Sequence, residues 1–198
     1  MQRVTTFSIG TLKATDEEEE TLLKIVRIID LWTGFKHVAF AERTQFYSET
    51  NTVDEYRRKK VRFLVRQRQL QDYQMSSCKI ITYSKTDPTN IRFIFKRVQT
   101  YNGCVSGDPL STLSSLGFQY DPNASYEKRG EIWQGHLFFD NPNQKRESHF
   151  LQIELAKTYS LMDQTASEWT LKVTCDSPAI ILQAASMLNE HIYWTTKY

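Results

Sequence analysis

Residues 149–161, HFLQIELAKTYSL, place Leu151, Ile153, Leu155, Tyr159 and Leu161 on one face of an extended chain. A period of two over that length reads as a long β-strand. The next stretch, residues 168–175, repeats the pattern with Trp169, Leu171, Val173 and Cys175 inward. The link between the two is short, and short links join antiparallel partners, because a parallel crossover needs a dozen residues or more.

Further strands extend the pattern outward from this pair. Residues 3–9 (RVTTFSI) read as a strand with Gly10 as its stop, and Phe35 to Tyr47 as another. Residues 60–70 (KVRFLVRQRQL) alternate, with Val61, Phe63 and Val65 on one face and Lys60, Arg62, Leu64, Arg66 and Arg68 on the other. Residues 78–83, 91–101 and 131–139 complete the set, with a turn at Thr86 to Asn90 and a loop at Asn141-Pro142-Asn143.

Three helices punctuate the strands. The first follows the acidic run Asp16 to Glu20, with Thr15 and Glu18 at capping-box spacing. Acids in a first turn favour the helix dipole. Leu22, Leu23, Ile25, Val26, Ile28 and Ile29 supply its apolar stripe, and Gly34 its stop. A short second helix has Asp108 as N-cap, Pro109 at its first position and Gly117 after its end. Ser177 caps the last helix, where Pro178 starts it and Ile181, Leu182, Ala185 and Leu188 form the apolar face. Long alternating strands avoid open edges most simply by closing on themselves. The expected fold class is therefore α+β: a closed antiparallel β-barrel of about eight strands with about three flanking helices, one domain over residues 1–198.

Composition bounds the function. The 198 residues carry 25 Lys and Arg against 23 Asp and Glu, a net charge of +2. That balance excludes polyanion binding by bulk charge and leaves local patches open. With 40% apolar and 13% aromatic residues, the chain is too apolar for disorder. Three widely spaced cysteines, Cys78, Cys104 and Cys175, make a poor disulfide framework. The opening residues lack the basic and apolar regions of a signal peptide, and the most apolar stretch is interrupted by Lys24, Arg27 and Asp30. The expectation is a reduced, intracellular protein with no membrane partner. The sequon at Asn123-Ala124-Ser125 then reads as chance.

Motifs that carry chemistry are sparse. There is no phosphate-cradling glycine loop and no nucleophile elbow. His37, His136, His149 and His191 lie far apart, without metal-ligand spacing, and read as surface or strand histidines. The carboxylates of Glu17 to Glu20 open a helix, which explains them without a metal. No cofactor or metal is expected. The densest signal is RRKKVRFLVRQR, residues 57–68, seven basic residues with no acid. Such a run can release counterions from phosphates. A single interleaved aromatic, Phe63, weakens the nucleic-acid reading and favours a face that meets protein. Arg62, Arg66 and Arg68 are thus candidate partner-interface residues. Tyr193 and Trp194 join them, because with Tyr198 they make an apolar end suited to anchoring a partner or to packing on the sheet. Of the other tryptophans, Trp169 reads as core.

The order of elements resembles that of the Mediator subunit eighteen family of the Mediator head module. QRVTTFSIGTL before an amphipathic helix is similar to the family's opening strand, turn and helix. LSTLSSLGFQYD, residues 110–121, looks like its short helix ending in a Leu-Gly-aromatic turn. Tyr126 to Gly130, LQIELAKTYSL, WTLKVTC and the final helix continue the order, while the DNPNQKRES loop at residues 140–148 departs from it. The resemblance implies a barrel like that of triphosphate-tunnel enzymes, used as a non-enzymatic scaffold in the nucleus. It implies pairing with Mediator subunit twenty, uptake of a C-terminal helix of subunit eight, and an indirect link from regulators to RNA polymerase II.

Two alternatives stay beside it. A tunnel-type, metal-dependent phosphohydrolase needs Glu-x-Glu on a strand facing basic residues. Glu131 and Glu154 stand isolated in the sequence, which argues for no enzymatic activity. A nucleic-acid-binding module rests on residues 57–68 alone.

Overall fold

The computed structural model describes residues 2–13, 16–49, 62–70, 78–83, 87–91, 93–105, 109–139 and 147–196. The structure is α+β. In chain order its elements are β1 (Gln2–Leu12), α1 (Glu18–Thr33), β2 (Val38–Glu49), β3 (Arg62–Leu70), β4 (Cys78–Tyr83), β5 (Asp87–Pro88) and β6 (Phe95–Val105). Then come α2 (Pro109–Ser115), β7 (Phe118–Phe139), β8 (Glu147–Ser160), β9 (Thr170–Cys175), α3 (Pro178–Leu188) and β10 (Ile192–Trp194).

The strands form one antiparallel sheet of ten in the order β10-β1-β9-β8-β7-β2-β3-β4-β6-β5, with an additional β1–β6 pairing. About eight strands were expected in one closed ring; the sheet has ten, its order ends at β10 and β5, and one extra pairing joins Gln2–Phe7 of β1 to Thr100–Phe95 of β6.

The core forms where the quoted strand said it would. Leu151, Ile153 and Leu155 of β8 lie directly opposite Cys175, Val173 and Leu171 of β9, and Trp133 of β7 lies opposite Ile153. Residues directly opposite share a face. All seven are buried against Ile25 and Ile29 of α1 and Ile180, Ile181, Ala184 and Leu188 of α3. Each fully buried aliphatic side chain contributes about 1.5–3 kcal/mol, so this helix face is the main source of stability.

Helix α1 is tied down at both ends by tryptophan N–H groups. Glu18 Oε1 accepts from Trp169 Nε1 at 3.0 Å and from Lys157 Nζ at 3.0 Å. These bonds hold the Glu18 carboxyl below its usual range, led by the one from Lys157. Asp30 Oδ1 accepts from Trp133 Nε1 at 2.7 Å. Gly34 ends the helix at φ 66°, and its N–H reaches Asp30 O at 2.9 Å. A β-carbon is disfavoured in that left-handed conformation. The N-cap residue is Glu17, without a side-chain capping bond. The expected Thr15 cap and the Asp108 cap both lie outside the described residues.

Several boundaries differ from the sequence reading. Gly10 does not stop β1. Strand β10 crosses it so closely that a β-carbon there would lie 2.3 Å from Ile192 Cγ2. The Ile94 N–H reaches Ile91 O at 3.0 Å, and β6 starts at Phe95. The stretch at 131–139 is the end of a 22-residue strand, β7. That strand carries a bulge: Thr44 and Phe46 of β2 pair with Tyr126 and Asp121, so four residues of β7 stand against one. Ser125, buried, closes the bulge. Its Oγ accepts the Phe46 N–H at 3.0 Å and donates to Asp121 O at 2.6 Å. Ser125→Ala leaves the partly buried Phe46 N–H without this partner, so a loss of about 1 kcal/mol is expected in urea unfolding. An unchanged midpoint would mean that water satisfies that N–H.

Candidate functional site

The face of the sheet turned away from the core carries the unusual chemistry. Ile132 of β7, Glu154 of β8, Lys172 of β9 and Ile9 of β1 stand side by side in register. Alternation sets all four on the face opposite Trp133, Ile153 and Val173. Farther along, Glu42 of β2 stands between Lys128 of β7 and Arg68 of β3. Phe40, Ile132 and Ala156 make a small apolar cluster on this face.

Glu42 is 2% exposed and Glu154 5%. A buried carboxylate is costly without a counter-charge or hydrogen bonds. Each has a lysine directly across the strand, a spacing of about 5 Å between β-carbons. Glu154 Oε1 also accepts from Gln152 Nε2 at 2.6 Å. Two cations converge on one ring: Lys172 Nζ lies 5.3 Å and the Arg97 guanidinium 5.5 Å from the Phe7 centroid. Phe95 packs on the same ring at 6.0 Å. Each cation over such a ring gains about 0.5–2 kcal/mol. Lys128 Nζ sits 5.8 Å over Tyr126. Thr44, fully buried two residues from Glu42 on the same face, has an Oγ1 with no hydrogen-bond partner among the described residues.

Described side chains on this face thus include three cations, Lys128, Lys172 and Arg97, and two acids, Glu42 and Glu154. Such a surface can hold an anion, with the carboxylates orienting the lysines. A resident divalent metal does not fit it. Among the described residues no group of three or more His, Cys, Asp or Glu could hold a metal. Where Glu-x-Glu would be needed, Gln152 stands two residues before Glu154, and Phe40 and Thr44 flank Glu42.

The five residues singled out from sequence are not brought together. Arg62, Arg66 and Arg68 fall on β3, paired with Ser48, Thr44 and Glu42 of β2. Their side chains, and residues 57–61, lie outside the described residues. Tyr193 is 63% exposed, with Lys13 Nζ 5.0 Å over its ring. Trp194 packs instead, its ring 6.1 Å from Phe93. Strand β10 lies beside β1, whereas β3 lies between β2 and β4. Sequence reasoning missed Glu42, Lys128, Lys172 and Arg97. A signal existed: Glu42 interrupts Val38, Phe40 and Thr44 on one strand face, and Glu154 lies on the face opposite Leu151, Ile153 and Leu155.

No family model and no curated protein matches the chain. Among solved structures it is similar to the PH1819 protein from Pyrococcus horikoshii OT3, with a TM-score of 0.51 and 10% identity over 99% of this chain and 95% of that one. It is also similar to the S. pombe Pct1 RNA triphosphatase, with a TM-score of 0.42 and 11% identity over 95% of this chain and 77% of that one. The expectation of no enzymatic activity is corrected. It rested on the lack of Glu-x-Glu on a strand, which stands, and on the isolation of Glu131 and Glu154, which does not: Glu154 lies opposite Lys172, and a further buried carboxylate, Glu42, lies opposite Lys128.

Proposed function

We propose that this chain binds a phosphate-bearing polyanion against the far face of its sheet and works as a tunnel-type phosphohydrolase. In this reading the β1–β6 pairing joins the two sides of the sheet, so the far face becomes the wall of a tunnel. The observation that carries it is the pair of buried carboxylates, each with a lysine directly opposite. Lys128, Lys172 and Arg97 neutralise phosphate oxygens where water is excluded, and there the attraction is stronger than in bulk solvent. Glu42 and Glu154 hold the lysines in place before the anion arrives. The described residues do not form a seat for a resident metal.

The expected result is release of inorganic phosphate from tripolyphosphate by the purified chain, with magnesium supplied as part of the substrate complex, falling about tenfold or more in Arg97→Met. Release equal in wild type and variant would assign the activity elsewhere. Binding without release would leave a polyanion-binding protein and remove the hydrolase.

A second proposal keeps the resemblance to Mediator subunit eighteen, on one observation: the short edge strand β10 presents Tyr193, 63% exposed. Tyrosine at the centre of a contact patch is a common anchor. In that reading Tyr193 meets a partner subunit in the nucleus. Recovery of subunits eight and twenty with the tagged chain, lost in Tyr193→Ser, supports it; their absence from the purified material ends it.

A further inference from the structure

At one end of the far face lies a buried hydroxyl. Thr44 of β2 is fully buried, and its Oγ1 has no hydrogen-bond partner among the described residues. Such a group costs stability until something bonds it. Thr44 stands opposite Tyr126 of β7 and, on its other side, at the register of Arg66 of β3. Lys128 is its diagonal neighbour on β7, a separation of about 7–8 Å that a lysine side chain spans. The Lys128 ammonium sits 5.8 Å from the Tyr126 centroid, so it leans along β7 from its place opposite Glu42 toward Thr44. That distance is near the outer limit, about 6 Å, of a cation–ring contact. Lys128 and Tyr126 are half-buried, with Thr44 fully buried beside them. Beyond Thr44 the ladder breaks, four residues of β7 standing against one of β2. There the Phe46 ring packs on Tyr126 at 6.1 Å.

We propose that Thr44 Oγ1 and the Lys128 ammonium form an end seat on the far face that holds the terminal phosphoryl group of a linear polyphosphate chain. The proposal rests on the reading of that face as a polyanion site. The ammonium supplies the charge. The hydroxyl donates to one phosphoryl oxygen, a bond made only with the ligand in place. An anion draws the ammonium off the Tyr126 ring, because a charge-assisted hydrogen bond is stronger than a cation–ring contact at that distance. The same movement uncovers the hydroxyl. The anion goes no further, because Phe46 and Tyr126 close the face with apolar rings at the bulge. A chain end fits such a blind seat, whereas a closed ring of phosphates has no end to place there. Thr44 is thus a specificity-determining residue, whose hydroxyl is a burden in the free protein and a contact in the bound one.

The test compares tripolyphosphate with cyclic trimetaphosphate, each titrated calorimetrically at low salt into the full chain and into Thr44→Val. That variant keeps the side-chain shape and removes the hydroxyl. It is expected to bind tripolyphosphate about tenfold more weakly, the loss of one hydrogen bond to a charged group, and to treat trimetaphosphate as the wild type does. Its urea midpoint is expected to equal or exceed that of the wild type, because a methyl group takes the place of an unpartnered buried hydroxyl. Thr44→Ser, which keeps the hydroxyl, is expected to bind tripolyphosphate within about twofold of the wild type. Equal tripolyphosphate affinity in wild type and Thr44→Val, or an equal loss for both ligands, overturns the seat and leaves the polyanion site standing. A clear fall in the Thr44→Val midpoint also overturns it, since the hydroxyl would then be bonded in the free protein. A wild type that binds neither ligand removes the polyanion reading and the seat with it.

Discussion

Gly130→Ala is expected to cost about 3 kcal/mol or more, enough to unfold much of a marginally stable domain. Gly130 lies opposite Phe40 of β2 and Ala156 of β8. A β-carbon there would stand 2.0 Å from Leu155 O and 2.6 Å from Ala156 Cα. Both are backbone atoms, so relief requires β7 and β8 to move apart, breaking pairings on either side. Gly135, on the same strand, makes the comparison. Its β-carbon would meet only the Phe35 ring, at 2.6 Å, and a half-buried ring can turn away, so Gly135→Ala is expected to cost about 1 kcal/mol. Urea unfolding of the two variants side by side decides the matter. Equal midpoints would mean that β7 and β8 are less tightly apposed than described.

Lys172→Met is expected to destabilise by about 3 kcal/mol, the lower end for an orphaned buried charge. The Glu154 carboxylate, 5% exposed, loses the cation opposite it and keeps Gln152 as a donor. Loss of the cation over Phe7 adds a smaller amount. The double change Lys172→Met with Glu154→Met removes both charges and is expected to recover most of the loss, because an apolar pair of similar volume takes the place of two facing charges at little net cost. Strict additivity of the two single changes would mean that Glu154 and Lys172 do not interact.

The helix face was readable because its signal is local. Alternating Leu151, Ile153 and Leu155 identify the strand by themselves, and Gly34 and Pro178 mark helix ends through backbone conformation. Strand β7 was read from residue 131 because Gly130 looks like punctuation, whereas here it permits close approach of Ala156. Strand β10 was missed because three residues, Ile192 to Trp194, carry no period. The far face was illegible for a different reason. Glu154 looks solitary until β9 sets Lys172 beside it, and Glu42 until β7 brings Lys128. Register fixes such pairs, and a slip of one residue would turn either lysine to the other face. Sequence spacing holds no trace of that register. Tyr193 and Trp194, read as a pair, split for the same kind of reason: adjacent residues on a strand point to opposite sides, and β10 turns one outward and packs the other.

Calorimetric titration of the full chain with tripolyphosphate, at low and at high salt, tests most directly whether the far face is a polyanion site. Saturable binding at one site per chain is expected, weakening steeply as salt rises and falling about tenfold or more in Lys128→Met, the loss of one charged contact. No binding at low salt, or equal affinity in wild type and Lys128→Met, would contradict it.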